Sequence, residues 1–140
     1  MPETLRLSPA QLDGIIRHAS AHVPEEACGI LAGSSDGVVK KVYLMENAEH
    51  SRTFYMMDSH EQFQVFDDME QLGLELVAIF HSHPDTEAYP SARDCELAFY
   101  PDSLYMIVSL AASEPKCRAF RIEDGDVREA EIILDEPEGD

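Results

Sequence analysis

Hydrophobic residues recur at the spacing of one helix face in two segments of the chain. The first helix is predicted from Ser8, an N-cap, to just before Pro24. The second is predicted to begin at the capping pair Asp58 and Glu61 and to end at Gly73. The apolar stripes are Leu12, Ile15, Ile16 and Ala19 in the first helix, and Phe63, Val65, Phe66, Met69 and Leu72 in the second.

Short apolar or alternating runs between turn residues predict strands at 27–32, 38–45, 53–57, 76–80, 104–110, 117–122 and 127–134. The run at 76–80 is apolar throughout, which is typical of a central strand covered on both faces. The turn at 124–126 predicts a hairpin between the last two strands. A short third helix is predicted from Ser91 to about Phe99. These elements predict an α/β (α+β) fold, with a single mixed β-sheet flanked by helices in one domain.

The chain of 140 residues has 28 acidic and 10 basic residues, a formal net charge of −18. Nucleic acid is not an expected partner, because phosphate contacts require clustered lysine and arginine. The acidic surface has two explanations: a solvated surface adapted to salt, or attraction of a basic partner. The even spread of charge along the chain favours the first. Residues 136–140 are predicted to form a frayed acidic tail.

The three cysteines, Cys28, Cys95 and Cys117, do not form Cys-x-x-Cys pairs. We expect them to be reduced and to pack as small hydrophobic side chains. No run approaches the roughly 20 apolar residues that span a bilayer, and no N-terminal signal pattern is present. A cytoplasmic protein without a membrane partner is therefore expected, and the sequence does not indicate its oligomeric state.

Two histidines, His81 and His83, follow directly after the apolar run at 76–80. In an extended segment such side chains point to the same side, so both imidazoles can bind one metal ion. Asp94 stands at the start of the predicted third helix, where a return of the loop would bring its carboxylate to the same ion. Two imidazoles and one carboxylate leave a fourth tetrahedral position for water, which is typical of catalytic zinc.

Each of these residues also has a structural explanation. A histidine near a strand end is usually a surface or core residue. Ser91 and Asp94 also fit an ordinary capping box, with the acidic residue near the positive end of the helix. Two histidines beside Pro84 and a polar loop favour metal binding, and their presence is what favours a ligand role for Asp94.

The order of these residues resembles the motif of the JAMM, or MPN-plus, metalloproteases. Residues 81–84 read His-Ser-His-Pro, and after six further residues the segment 91–94 reads Ser-Ala-Arg-Asp. The segment 24–33 resembles the family's glutamate ahead of a small apolar strand. The resemblance covers essentially the whole chain, and it implies a cytidine-deaminase-like JAMM/MPN fold with the metalloprotease domain over residues 1–135.

The resemblance also implies a role for each residue of the motif. One Zn2+ ion is bound by His81, His83 and Asp94. Ser91 helps to stabilise the oxyanion, and an upstream glutamate is the general base. We assign the base to Glu26, because it stands three residues ahead of Gly29 as the family's glutamate does. Glu25 is then a solvated neighbour.

The function that this resemblance implies is hydrolysis of an amide bond at the C-terminus of a ubiquitin-like or sulfur-carrier protein by zinc-activated water. Bacterial members similar to this chain release an amino acid such as cysteine from a carrier. The substrate tail is expected to lie along a strand edge beside the zinc. A non-catalytic MPN-type binding or scaffold module is the alternative. A zinc nucleoside deaminase is disfavoured, because the chain lacks a Pro-Cys-x-x-Cys ligand pair.

Overall fold

A computed structural model describes residues 3–135 of the protein, and the predicted acidic tail at 136–140 lies outside them. The strands are β1 (Thr4–Leu7), β2 (Cys28–Gly33), β3 (Val39–Met45), β4 (Glu75–His83), β5 (Leu104–Ser109), β6 (Lys116–Glu123) and β7 (Asp126–Leu134). The helices are α1 (Pro9–His22), α2 (Ser59–Leu72) and α3 (Ala92–Glu96). None of the helices within this range is long and apolar enough to cross a membrane.

The strands form one seven-stranded sheet in the order β1-β7-β6-β5-β4-β2-β3. Strand β4 pairs in parallel with β5 and antiparallel with β2. The β1–β7 pair is also parallel, and the other neighbours are antiparallel. The prediction of a single mixed sheet flanked by helices is confirmed, as is the hairpin formed by β6 and β7.

Two apolar cores lie on the two faces of the sheet. Ala78 and Phe80 of β4 belong to the core that contains Ile15 of α1. Ile79 belongs to the other core, with Val65 of α2. Because successive strand residues point to opposite faces, β4 is buried on both sides, as its unbroken apolar run predicts.

The ends of the helices follow their capping residues. The Ser8 hydroxyl accepts a hydrogen bond at the start of α1, and Asp58 does the same for α2 by accepting from the Glu61 amide. Gly73 ends α2 in the left-handed conformation at φ 69°. The pair at α2 is not the predicted capping box, since the Glu61 carboxylate accepts from the amide of Glu46.

The segment 53–57 does not form the strand that its residues predict. A single bridge joins Asn47 to Met57. The Asn47 side chain donates to the carbonyl of Phe54 and accepts from the amide of Met56. A side chain thus bonds the backbone groups that a neighbouring strand would otherwise bond.

Two further boundaries differ from the prediction. Helix α3 ends at Glu96 rather than near Phe99, and beyond it the amide of Tyr100 donates to the hydroxyl of Tyr105. Strand β1 has no counterpart in the sequence prediction, because four residues are too few for an alternating pattern to stand out.

Candidate active site

The two histidines occupy the end of β4, between β2 and β5. Since side chains alternate along a strand, His81 and His83 point to the same face as Ile79. His81 is paired with Cys28 of β2, and His83 with Ser109 of β5. The histidines are only 1% and 3% exposed.

The side chains of His81, His83 and Asp94 converge. The Nε2 atoms of the two histidines lie 3.2 Å apart. The Oδ2 atom of Asp94 lies 3.1 Å from Nε2 of His81 and 3.0 Å from Nε2 of His83. The structure therefore brings together all three residues that the sequence singles out as ligands.

This geometry suits a metal ion. A tetrahedral site with bonds of about 2.0–2.1 Å has ligand-to-ligand edges of about 3.3 Å, close to the distances found here. The Nδ1–H group of His83 donates to the carbonyl of Glu87 at 2.8 Å, which leaves the Nε2 lone pair for a ligand. Among residues 3–135 this is the one cluster of three such side chains close enough to share an ion.

Asp94 is placed by the cap of α3. The Ser91 hydroxyl accepts from the Asp94 amide at 3.0 Å, and Oδ2 of Asp94 accepts from the Ser91 amide at 2.9 Å. The same Oδ2 atom also faces both imidazoles. Asp94 therefore belongs to a helix capping box and also lies beside the two histidines.

The charges of the cluster favour a cation. Burial by itself raises the pKa of Asp94, but interactions with the adjacent His81 and His83 and with the Ser91 amide outweigh it and hold that pKa well below its ordinary value. Burial lowers the pKa of His81. It also opposes protonation of His83, whose pKa is nevertheless raised by Asp94 and the Glu87 carbonyl. Asp94 is thus ionised at neutral pH, which is the state that binds a metal ion.

Glu26 lies just ahead of β2 and is only 3% exposed. Its Oε1 atom has no hydrogen-bond partner among the described residues. Burial raises the pKa of the carboxyl from 4.5 to about 8, while His83 lowers it and Asp94 raises it. The Glu26 carboxyl therefore lies close enough to His83 and Asp94 to interact electrostatically with them. Glu25 instead lies near the surface, 3.1 Å from Nδ1 of His50.

Two further residues, which the sequence reasoning did not assign, support the site. The ring of Tyr55 stacks on His81, with centroids 4.7 Å apart and planes at 23°. The Ser82 hydroxyl accepts from the amide of Ala27 at 2.8 Å, and so ties the histidine strand to the residue after Glu26. Alternation along β4 places Ser82 on the face opposite to both histidines, so it supports the site through Ala27 and does not face the ligand atoms.

Asn47 is a third such residue, buried at 1% exposure. Its Nδ2 donates to the carbonyl of Glu26 at 3.0 Å. The two residues are 21 positions apart in the chain, and no local pattern marks such a contact. A buried polar residue becomes visible only once the fold is known.

With this geometry established, comparison with known proteins identifies the family. Residues 8–123 match the family described as prokaryotic homologs of the JAB domain. The chain belongs to this family. A CysO-cysteine peptidase of Mycobacterium tuberculosis is 42% identical to this JAB protein over 123 residues, which are 86% of this chain and 84% of the relative. A desampylase of Haloferax volcanii is 35% identical over 111 residues, 75% of this chain and 80% of the relative.

Solved structures agree with this assignment. A solution structure of a protein from Desulfitobacterium hafniense has a TM-score of 0.87 at 40% identity, covering 98% of this chain and 94% of that one. A JAB1/MPN domain protein from Archaeoglobus fulgidus has a TM-score of 0.60 at 20% identity, covering 92% of this chain and 99% of that one, and shares the fold.

The predicted JAMM/MPN resemblance is thus confirmed. The named relatives also bear out the prediction that this JAB protein is a metallopeptidase rather than a non-catalytic module. Its His-His-Asp cluster provides the site that such an enzyme needs for a metal ion.

Proposed function

We propose that this JAB protein is a zinc-dependent peptidase that hydrolyses the amide bond at the C-terminus of a ubiquitin-like or sulfur-carrier protein. One observation carries the proposal: the ligand atoms of His81, His83 and Asp94 converge beside the buried carboxyl of Glu26. Relatives named CysO-cysteine peptidase and desampylase support the substrate class. A cytoplasmic location and one domain over residues 1–135 belong to the same proposal.

The metal would be held by His81, His83 and Asp94, a set of two imidazole nitrogens and one carboxylate oxygen that suits Zn2+. When bound, zinc supplies Lewis acidity that polarises the scissile carbonyl and makes water nucleophilic near neutral pH. The hydrogen bond from His83 to the Glu87 carbonyl fixes the imidazole in the orientation that this role requires.

Glu26 accepts the proton of the attacking water and passes it to the departing amine. In the metal-free protein burial raises the pKa of Glu26 to about 8, and the positive charge of a bound cation would favour the ionised carboxylate that accepts a proton. Its Oε1 atom is not engaged by any described side chain or backbone group, so it can take up the proton. Such proton transfer is typically worth about 10² to 10⁴ in rate.

Ser91 donates a hydrogen bond to the oxyanion that develops on the substrate carbonyl. Its Oγ already accepts from the Asp94 amide, which holds the hydroxyl next to the ligand cluster. A serine hydroxyl that accepts one hydrogen bond still has its own proton to donate. Ser91 can therefore cap α3 and act on the substrate at once.

The test uses a purified carrier protein ending in Gly-Gly in two forms, one joined to free cysteine and one joined through an isopeptide bond to a lysine peptide. Release of each leaving group is followed by mass spectrometry with the zinc-loaded protein. Preference for the first form indicates amino-acid release, and preference for the second indicates deconjugation. If a fully zinc-loaded, folded sample cleaves neither, the proposal is wrong.

The role of Glu26 is tested with Glu26→Gln, and Glu25→Gln is the matched control. We expect Glu26→Gln to keep one zinc per chain and to lose about 10² to 10⁴ in kcat, while Glu25→Gln keeps its activity. Normal turnover by Glu26→Gln would show that another group is the base.

A further inference from the structure

The segment between β3 and α2, residues 47–57, holds the part of the chain that carries Glu26; we call it the site strap. The amide of Glu26 donates to the carbonyl of Ser51 at 2.8 Å. The carbonyl of Glu26 accepts from Nδ2 of Asn47 at 3.0 Å. Glu26 precedes β2, which begins at Cys28, so its backbone groups are not paired within the sheet. Both of them bond to the site strap instead.

Asn47 organises the site strap with a single side chain. Its Nδ2 donates to the carbonyls of Glu26 and Phe54, both at 3.0 Å. Its Oδ1 accepts from the amides of Glu49 and Met56, both at 3.1 Å. A carboxamide has two N–H donors and an oxygen with two lone pairs, so all of its hydrogen-bonding capacity is used. Among the side chains only glutamine also carries a carboxamide, and it is one methylene longer.

The strap also reaches the metal ligands. Tyr55 lies between Phe54 and Met56, the two residues that Asn47 bonds, and its ring stacks on His81. One side chain thus connects the backbone of Glu26 with the aromatic ring that packs on a ligand. A shift of the strap would move Glu26 and Tyr55 together.

We propose that Asn47 is a positioning residue of the reaction, which sets the place of Glu26 relative to the ligand cluster. This inference rests on the proposed role of Glu26 as the base. Loss of both donors would free the Glu26 carbonyl and let its carboxylate move, and misplacement by about 1 Å costs about 100-fold in rate. The backbone hydrogen bonds that orient His83 and Asp94 do not involve Asn47, so we expect the metal to be retained when Asn47 is replaced.

Two variants test the proposal. Asn47→Asp keeps the shape and the acceptor oxygen but loses both donors, and Asn47→Ser is neutral and smaller. We expect each to lower kcat about 10- to 100-fold, with KM and zinc content within about twofold of the unchanged protein. Ser103→Ala is the control, because it removes a comparable hydrogen bond, to the carbonyl of Leu76, near the opposite end of β4.

The same substitutions in a Glu26→Gln background separate positioning from stability. If Asn47 acts through Glu26, its substitution lowers the residual kcat by less than about threefold once Glu26 is absent. The same fold-loss in both backgrounds, an unchanged kcat or a loss of zinc would each overturn the proposal. Normal turnover by Glu26→Gln alone would overturn the proposed function as well, so the two failures are distinguishable.

One measurement needs no variant. Asn47 is the only asparagine in the chain, so selective 15N-asparagine labelling gives a single side-chain carboxamide in the NMR spectrum. Because both protons are buried and bonded, we expect them to exchange with solvent far more slowly than in an unfolded peptide. Exchange at the unfolded rate would overturn the proposal even if both variants failed to fold.

Discussion

Replacing Glu26 with glutamine is expected to stabilise the metal-free protein at neutral and alkaline pH, although the proposed reaction needs the carboxyl. Glu26 is 3% exposed, and burial raises its pKa from 4.5 to about 8. Ionising the carboxyl is therefore less favourable in the folded protein than in the unfolded chain, where the carboxylate is solvated. Glutamine has nearly the same shape and no charge, so it avoids this cost.

The sign of the pH dependence follows from the two pKa values. Between 4.5 and about 8 the folded chain keeps a proton on Glu26 that the unfolded chain has lost. The contribution of Glu26 to the free energy of unfolding therefore falls as pH rises through this interval, and becomes constant above it. The variant lacks this contribution, so its advantage over the unchanged protein grows with pH.

The size of the effect follows from the same values. At about 1.4 kcal/mol per pH unit, the rise in pKa corresponds to at most about 5 kcal/mol. The isoelectric point of about 4.4 makes the acidic end of the range unsuitable, because proteins associate near zero net charge. Between about pH 5.5 and about pH 9 the difference between variant and unchanged protein should grow by about 3 kcal/mol.

The assay is urea unfolding in the presence of a chelator at several pH values, with the free energy of unfolding compared at each. Glu25→Gln is the control, since Glu25 lies near the surface beside His50 and such an exposed ion pair is worth less than about 1 kcal/mol. A Glu26→Gln advantage that is the same at both ends of the range would refute the reasoning, because Glu26 would then not titrate differently in the folded state.

Three further predictions concern the metal, the packing and the charge. His83→Ala is expected to lose the metal, whereas Cys28→Ala keeps it because Cys28 belongs to an apolar core; metal analysis after dialysis tests both, and loss of metal from Cys28→Ala would contradict its packing role. Gly29→Ala is expected to lower the free energy of unfolding by about 1–3 kcal/mol, since a Cβ there would lie 2.2 Å from the Phe80 ring. Gly14→Ala, with nothing within 4 Å of the new Cβ, should raise the free energy of unfolding by about 0.5–1 kcal/mol. Equal urea midpoints for the two variants would contradict this packing argument. Molar NaCl is expected to raise Tm, because it screens the repulsion within a chain of net charge −18; an unchanged or lower Tm would count against salt adaptation.

Local signals in the sequence were sufficient for most of the fold. Ser8 and Asp58 accept hydrogen bonds from amides only a few residues away, so capping can be seen without the tertiary structure. The end of β4 could also be predicted, because an unbroken apolar run carried His81 and His83 to one face. The two neighbouring histidines were what pointed to the convergence of Asp94 on them, since Asp94 alone has the same local pattern as an ordinary capping residue.

Long-range contacts explain what could not be predicted. The segment 53–57 has residues that favour a strand, but the Asn47 side chain bonds its backbone groups instead. The stacking of Tyr55 on His81 and the bond from Asn47 to Glu26 join segments that are distant in the chain. Periodicity records which face of an element is apolar, and it contains no information about such partners.

The Oδ2 atom of Asp94 caps α3 and also faces both imidazoles. A helix of five residues is not stable in isolation, so its order depends on that cap and on its surroundings. With Asp94 as a proposed metal ligand, cation affinity and formation of α3 are thermodynamically linked, and each would strengthen the other by the same factor. A substitution such as Ala92→Gly, at an exposed position of α3, should weaken metal binding simply by making this single turn harder to form.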